Sequence, residues 1–375
     1  MFSKKTGKNL IYRFPIRIIQ FFIVLFIIGL TVFFIAHFYL KSKTRLETKI
    51  KTVKGIDSLF AIQLDGIEQW INIRGEERDN PVILFLHGGP GAPLFPGIQE
   101  IGVKTGLEKS YVMVYWEQPG TGKSFDQDIP DSIMAINKLV SYTGNIARYL
   151  IDKFDRDNIF IMARSWGSVI GLLSVKKYPE IFEAYISIGQ LVDPLKNDRL
   201  SYQFTLELAK KYNNQAAIDE LRNLGSPPFN PDQIIIQRSR LTKFYRRFME
   251  QKFNVHKQNQ LIKLLSTPEY SIIDIIKMGK DPFFSIKHLW NENFYDINFF
   301  QQVQTIPIPV VFITGKYDYF TPPELTEKYY QILEAPAGKE LIRFEQSGHH
   351  PELEQPQKFK RILNNKLDSL SRLNR

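Results

Sequence analysis

Ile161-Met162-Ala163-Arg164-Ser165-Trp166-Gly167-Ser168 joins two apolar runs. Before it, Asn158-Ile159-Phe160-Ile161-Met162 reads as a buried strand. After it, Val169-Ile170-Gly171-Leu172-Leu173-Ser174-Val175 reads as a buried helix. So short a connection lifts the Ser165 hydroxyl clear of the sheet, the geometry of a nucleophile elbow. The new helix aims its free N–H groups and positive dipole end at whatever lies beside that hydroxyl. Small residues are needed on both sides of the serine, where strand and helix backbones nearly touch. Gly167 meets this need, and Ala163 is the mildest departure from glycine. A small-x-Ser-x-Gly string also arises by chance, so the reading depends on the rest of the chain.

Upstream, Leu59-Phe60-Ala61-Ile62-Gln63-Leu64 and Gln69-Trp70-Ile71-Asn72-Ile73 flank Asp65-Gly66, an antiparallel opening pair. Val82-Ile83-Leu84-Phe85-Leu86 is an unbroken apolar run, typical of a central parallel strand. It ends in His87-Gly88-Gly89-Pro90-Gly91, whose glycines let backbone N–H groups approach a ligand at a strand's C-terminal end. His87 reads as a residue that shapes this loop. The strand Tyr111–Trp116 runs into Glu117-Gln118-Pro119-Gly120-Thr121-Gly122-Lys123-Ser124. This is not a phosphate-binding P-loop, because Glu117 stands where the first glycine is required and no helix-forming run follows. A helix over 140–155 precedes the elbow, and Ala184–Gly189 is the next buried strand. Strand, turn and helix in repetition predict a parallel α/β sheet.

From Asp193 to residue 300 the chain is rich in helix formers and aromatics, without clear strands. It reads as a helical insertion whose aromatics pack it onto the core. The sheet resumes with Pro309–Thr314, ending at Gly315-Lys316-Tyr317-Asp318, and Thr321-Pro322-Pro323-Glu324 opens a helix. Glu340–Phe344 is a last strand, ending at Ser347-Gly348-His349-His350, and a helix covers about 355–371.

Ser165, Asp318 and His349 thus stand at the ends of three strands. A serine hydroxyl is a weak nucleophile near neutral pH. It needs an imidazole to take its proton and a carboxylate to orient that imidazole. The backbone N–H of Trp166, with that of Gly89, would form the oxyanion hole. Asp318 also suits the start of a turn, and His350 competes with His349 as the base. Ser168 reads as a helix-capping group.

The net charge of +10 is local. Up to Lys54 there are eleven Lys and Arg and one acid, Glu47, which gives +10; the remainder holds 38 basic and 38 acidic residues. No nucleic-acid footprint follows. The absence of cysteine excludes a thiol nucleophile, thiolate metal sites and disulfides. Residues 1–17 are basic and 18–40 are almost continuously apolar. Twenty-three helical residues span roughly 35 Å, enough for a bilayer core of about 30 Å. A cleaved signal peptide would have a shorter apolar stretch and a small-x-small site, which Phe38-Tyr39-Leu40-Lys41-Ser42-Lys43 does not offer. A single-pass membrane anchor is expected, followed by a polar tether over 41–56. Basic residues flank both ends, so the side of the membrane is not set.

From about 57 to 371 the chain resembles the α/β-hydrolase superfamily, and within it the proline iminopeptidase group of serine aminopeptidases. The resemblance is carried by His87-Gly88-Gly89-Pro90-Gly91, by Trp116–Ser124, by Ser165-Trp166-Gly167-Ser168, by Gly315-x-x-Asp318 and by Ser347-Gly348-His349 with Glu352 and Pro356. It implies a mostly parallel sheet flanked by helices, with a core over 57–192 and 301–375 and a helical cap over 193–300. It further implies Ser165 as nucleophile, Asp318 as acid and His349 as base, with no metal or cofactor. Ala163-Arg164 departs from that group's Gly-Gly, and Glu117 and Pro119 replace Asp and Arg. In that group acidic cap residues hold the substrate's amine; Glu207, Glu220 and Glu250 are the candidates here. The expected substrate is a short peptide. An ester on the same triad is the alternative, and a non-catalytic binding protein the third reading. No nucleotide is expected.

Overall fold

The computed structural model describes residues 8–229, 234–253, 259–280, 283–290 and 292–373. The described strands form one eight-stranded sheet: β1 (Ile56–Leu64), β2 (Ile67–Gly75), β3 (Val82–Leu86), β4 (Val112–Trp116), β5 (Ile159–Arg164), β6 (Phe182–Ile188), β7 (Val310–Gly315) and β8 (Lys339–Phe344). Their spatial order is β1-β2-β4-β3-β5-β6-β7-β8. β1 and β2 form the opening antiparallel pair, turning at Asp65-Gly66, both with positive φ. β2 joins β4 antiparallel, and from β4 onward the neighbours are parallel.

The unbroken apolar strands follow from burial on both faces. On β3, Val82, Leu84 and Leu86 belong to one core, and Ile83 and Phe85 to the other. The first core is covered by α2 (Ile136–Phe154) and α3 (Gly167–Lys177). Between β6 and β7 lie α4 (Pro194–Lys211), α5 (Gln215–Leu224), α6 (Ile234–Phe253), α7 (Gln260–Ser266), α8 (Ile272–Lys280), α9 (Phe284–Leu289) and α10 (Phe299–Gln302). Aromatics tie this helical segment to the core: Phe284 stands 5.5 Å from Phe125, and Phe294 5.0 Å from Trp166. α11 (Pro323–Ile332) joins β7 to β8 and packs on the first core. α12 (Pro351–Glu354) follows β8, and α13 (Pro356–Leu373) covers the second core through Phe359, Leu363 and Leu367.

Ahead of the sheet runs one long helix, α1 (Lys8–Thr48), which over Ile18–Thr48 is long and apolar enough to cross a membrane. Residues 1–7, the start of the basic N-terminal segment, lie outside the described residues. The reading of 41–56 as a tether needs correction at its start. Residues 41–48 continue the helix and pack against α7. Lys41 Nζ donates to the Tyr270 carbonyl at 2.7 Å. The buried Arg74 donates to the Thr48 carbonyl, satisfying an otherwise orphaned helix-end group, and pairs with Glu108 at 3.0 Å and Asp57 at 2.6 Å. A polar composition does not make a free linker when a buried guanidinium caps it.

Candidate active site

The elbow forms as its spacing demands. Ser165, between β5 and α3, has φ +53°, a left-handed conformation that costs a non-glycine residue roughly 1–2 kcal/mol. Hydrogen bonds hold it there. Ser165 N–H donates to Ile188 O at 2.9 Å, and Ser168 N–H to Ser165 O at 2.9 Å. A Cβ at Gly167 would lie 2.5 Å from Leu86 O, so α3 approaches β3 as closely as backbone permits. The alanine at 163 is tolerated because residue 171 on α3 is glycine: a Cβ at 171 would stand 2.8 Å from the Ala163 methyl. Ser168, expected as a helix-capping group, does not cap α3, which has no side-chain cap. Its hydroxyl donates to Ser165 O at 2.5 Å and accepts Leu191 N–H at 2.9 Å, bracing the elbow against the β6–α4 loop.

Arg164 does not reach into the site as a free cation. It pairs at 3.0 Å with Glu352, which is buried on α12 and also faces His350 Nδ1 at 3.3 Å. Burial opposes the Glu352 charge, but His350 and Arg164 outweigh it and bring its pKa down to about 2. His350 is thereby engaged away from Asp318.

His349 is the histidine that meets Asp318. Its Nδ1 lies 2.9 Å from Oδ2 and 3.0 Å from Oδ1. Asp318 also makes the turn expected of it, since Oδ1 accepts Phe320 N–H and Thr321 N–H, each at 2.9 Å. Thr321, read from sequence only as a helix opener, donates its hydroxyl to Oδ2 at 2.6 Å. Nδ1 is the proton-bearing nitrogen of His349 in such a contact, which leaves Nε2 as the acceptor. The helix α6 clamps the same turn: Tyr245 donates to Tyr317 O at 2.6 Å and accepts Tyr319 N–H at 3.2 Å. Gly189, at the end of β6 with φ +63°, leaves room for the pair, because a Cβ there would meet Asp318 at 3.2 Å and His349 at 3.4 Å. A glycine closing an apolar strand was its one sequence signal.

The glycine loop adjoins the elbow. A Cβ at Gly88 would stand 3.3 Å from Ser165 Cβ. His87 shapes this loop: Nε2 accepts Gln118 N–H at 3.1 Å, so Nδ1 donates to Gly88 O at 2.8 Å. Burial, with the Arg164 charge adding to it, lowers its pKa to about 4 and keeps it neutral. Glu117 serves structure too. It accepts Leu94 N–H at 2.9 Å, Lys123 N–H at 2.7 Å and the Tyr270 hydroxyl. Burial nevertheless pushes its pKa up to about 7.

A cavity of about 270 Å³ opens over Ser165, lined also by Gly89, Trp166, Leu191, Trp290 and Phe320. From α6 come Ser239, Thr242 and Arg246, one face of the helix. No carboxylate is among the described lining residues. Glu207 is exposed, and Glu220 faces Arg240 at 3.9 Å and Lys243 at 3.6 Å, so neither lines the cavity. The Glu250 side chain lies outside the described residues. Among the described residues, no group of three or more His, Asp or Glu is placed to share a metal ion.

An elbow serine, a histidine–aspartate pair at later strand ends and a glycine loop beside them define an α/β hydrolase, and the family model for the alpha/beta hydrolase fold matches residues 81–356. The chain belongs to that family. A Bacillus subtilis (strain 168) protein named probable aminopeptidase YbaC is 31% identical over 313 residues, 83% of this chain and 96% of that one. Proline iminopeptidase of Heyndrickxia coagulans is 26% identical over 299 residues, 77% of this chain and 91% of that one. Among solved structures, proline iminopeptidase of Mycobacterium smegmatis superposes with a TM-score of 0.60 at 15% identity, covering 85% of this chain and 100% of its own. The relatives place the chain with peptidase-like α/β hydrolases.

Proposed function

We propose that this protein is a membrane-anchored serine aminopeptidase that releases N-terminal residues, proline among them, from short peptides. The observation that supports the reading is the His349–Asp318 contact at 2.9 Å, made at a turn whose Phe320 and Thr321 line the cavity over Ser165. In this reading His349 Nε2 takes the Ser165 proton as Oγ attacks the scissile carbonyl carbon. The N–H groups of Gly89 and Trp166 receive the oxyanion. The imidazolium then protonates the leaving amine, and the peptide C–N bond breaks. Water, deprotonated by His349, cleaves the acyl-enzyme and restores the serine. Asp318 holds the imidazole tautomer and stabilises its charged form. The span Ile18–Leu40 would hold the catalytic body at a bilayer.

One observation favours ester hydrolysis on the same residues: the described cavity lining offers a cation, Arg246, and no carboxylate to hold a free amine. The deciding experiment uses full-length protein in detergent micelles beside Ser165→Ala. Initial rates are compared on a proline arylamide and on short-chain nitrophenyl esters. Arylamide turnover that disappears in Ser165→Ala supports the aminopeptidase. Ester turnover alone moves the substrate to an acyl ester. If neither is cleaved and Ser165 fails to react with a fluorophosphonate probe in folded protein, the hydrolase reading is lost.

A further inference from the structure

We propose that the exposed face of α7 and α8 is a membrane-contacting surface, seated on the anionic headgroups of the bilayer that holds α1. The inference rests on the membrane-span part of the proposed function and not on its catalytic part.

Lys41 is the first charged residue after the apolar run that ends at Leu40. Its ammonium donates to Tyr270 O, two residues before α8 begins, with the carboxylates of Glu269 and Asp274 near enough to act on its charge. The start of α8 therefore lies at the level where the apolar part of α1 ends, which is the bilayer boundary if that part spans.

At this level α8 presents the wrong residues for water. Ile273 is 65% exposed and Ile276 59%, and at i and i+3 they share one face. On α7, Leu261 and Ile262 are exposed as well. Single exposed apolar residues need no explanation, but a cluster beside an apolar span does. Nor is α8 loosely held. Ile275 and Met278 pack on the core, and Asp274 pairs with Lys123 at 2.9 Å and accepts Ser271 N–H at 2.7 Å. These contacts fix the orientation that turns Ile273 and Ile276 outward.

The charges match an anionic surface. Lys277 and Lys280 are exposed on α8, and Lys43 and Arg45 on the neighbouring end of α1. Apolar residues on one side with lysines at the rim characterise helices that lie in the headgroup region. Such cations are drawn to anionic lipid over about a Debye length.

The sequence contains no cysteine, so single labels are unambiguous. Full-length Ile273→Cys and Ile276→Cys, each carrying an NBD fluorophore, are reconstituted into vesicles of phosphatidylcholine and phosphatidylglycerol containing a doxyl-labelled lipid. Ile332→Cys on α11 is the control, at the end of the sheet opposite the cap. Spin-labelled lipid is expected to quench the two α8 labels at least twofold and to leave the α11 label unchanged. Quenching of the α8 labels no greater than at position 332, in protein that floats with the vesicles, overturns the proposal. Protein that does not float removes the membrane span and the proposal with it, while hydrolysis measured in micelles still decides the catalytic reading.

Discussion

His349 and Asp318 meet through Nδ1 and Oδ2 at 2.9 Å, although 31 residues separate them in the chain. The same carboxylate holds Phe320 N–H, Thr321 N–H and the Thr321 hydroxyl. Asp318→Asn keeps an oxygen for the two backbone donors but turns an NH2 toward Thr321 and His349. The imidazole is then held in the wrong tautomer. The expected result is a loss of roughly 10⁴ in kcat with the thermal midpoint nearly unchanged. A decrease of less than tenfold would argue against Asp318 as the orienting acid.

Ala163 and Gly171 are complementary in size. Gly171→Ala forces two methyl carbons to about the 2.8 Å found for the ideal Cβ, and also meets Tyr185 at 2.8 Å. Overpacking of this kind costs roughly 1–3 kcal/mol. Adding Ala163→Gly removes one of the two clashes and should return part of the loss. Urea unfolding of the single and double variants measures the coupling, and strictly additive values would show that the two sites do not press on one another.

Stability should vary with pH through His87 and Glu117 in opposite senses. The His87 pKa falls from 6.5 to about 4 on folding, chiefly through burial, so its contribution is complete above 6.5 and is lost as pH falls toward 4. At 1.36 kcal/mol per unit that is about 3 kcal/mol. Glu117 rises from 4.5 to about 7, again through burial, so its contribution is complete below 4.5 and is lost as pH rises through 7. His87→Gln should flatten the thermal midpoint between pH 6.5 and 4, and Glu117→Gln between 4.5 and 7. Variant curves parallel to the wild type would exclude these two groups as the source.

Arg246 lines the cavity beside Ser239 and Thr242. A cation there opposes a substrate amine, by about 1 kcal/mol for unit charges ~4 Å apart in water-like surroundings. Arg246→Gln should therefore raise kcat/KM for a free-amine proline arylamide, relative to its N-acetyl form, roughly fivefold. An unchanged ratio would place the amine away from Arg246.

The sheet was legible because each central strand is buried on both faces and so appears as an unbroken apolar run, as Val82–Leu86 and Ile159–Met162 do. Ser165 and Asp318 were legible because each follows such a run, and His349 because it follows the half-buried edge strand Lys339–Phe344, at the end of the sheet where α/β folds place ligands. Local chemistry alone marked these positions. It could not separate His349 from His350, since the two are adjacent; the meeting of one with Asp318 and the other with Glu352 is a matter of tertiary placement. Glu352 as the partner of Arg164, Gly171 as the reason Ala163 fits, and Thr321 as a donor to Asp318 all depend on distances between separate elements. The cap shows the same division. Its composition announced helices, but which helical face lines the cavity depends on how α6 lies over Ser165. Tertiary packing set the exposed Arg246 at the cavity wall and left Glu220 with Arg240 and Lys243. The sequence by itself determined the strands, the elbow and the order of the polar residues, because these follow from local periodicity and turn chemistry. Only the tertiary structure decided which of those residues meet, because a contact across 31 or 188 residues is set by the packing of whole elements and by no local signal.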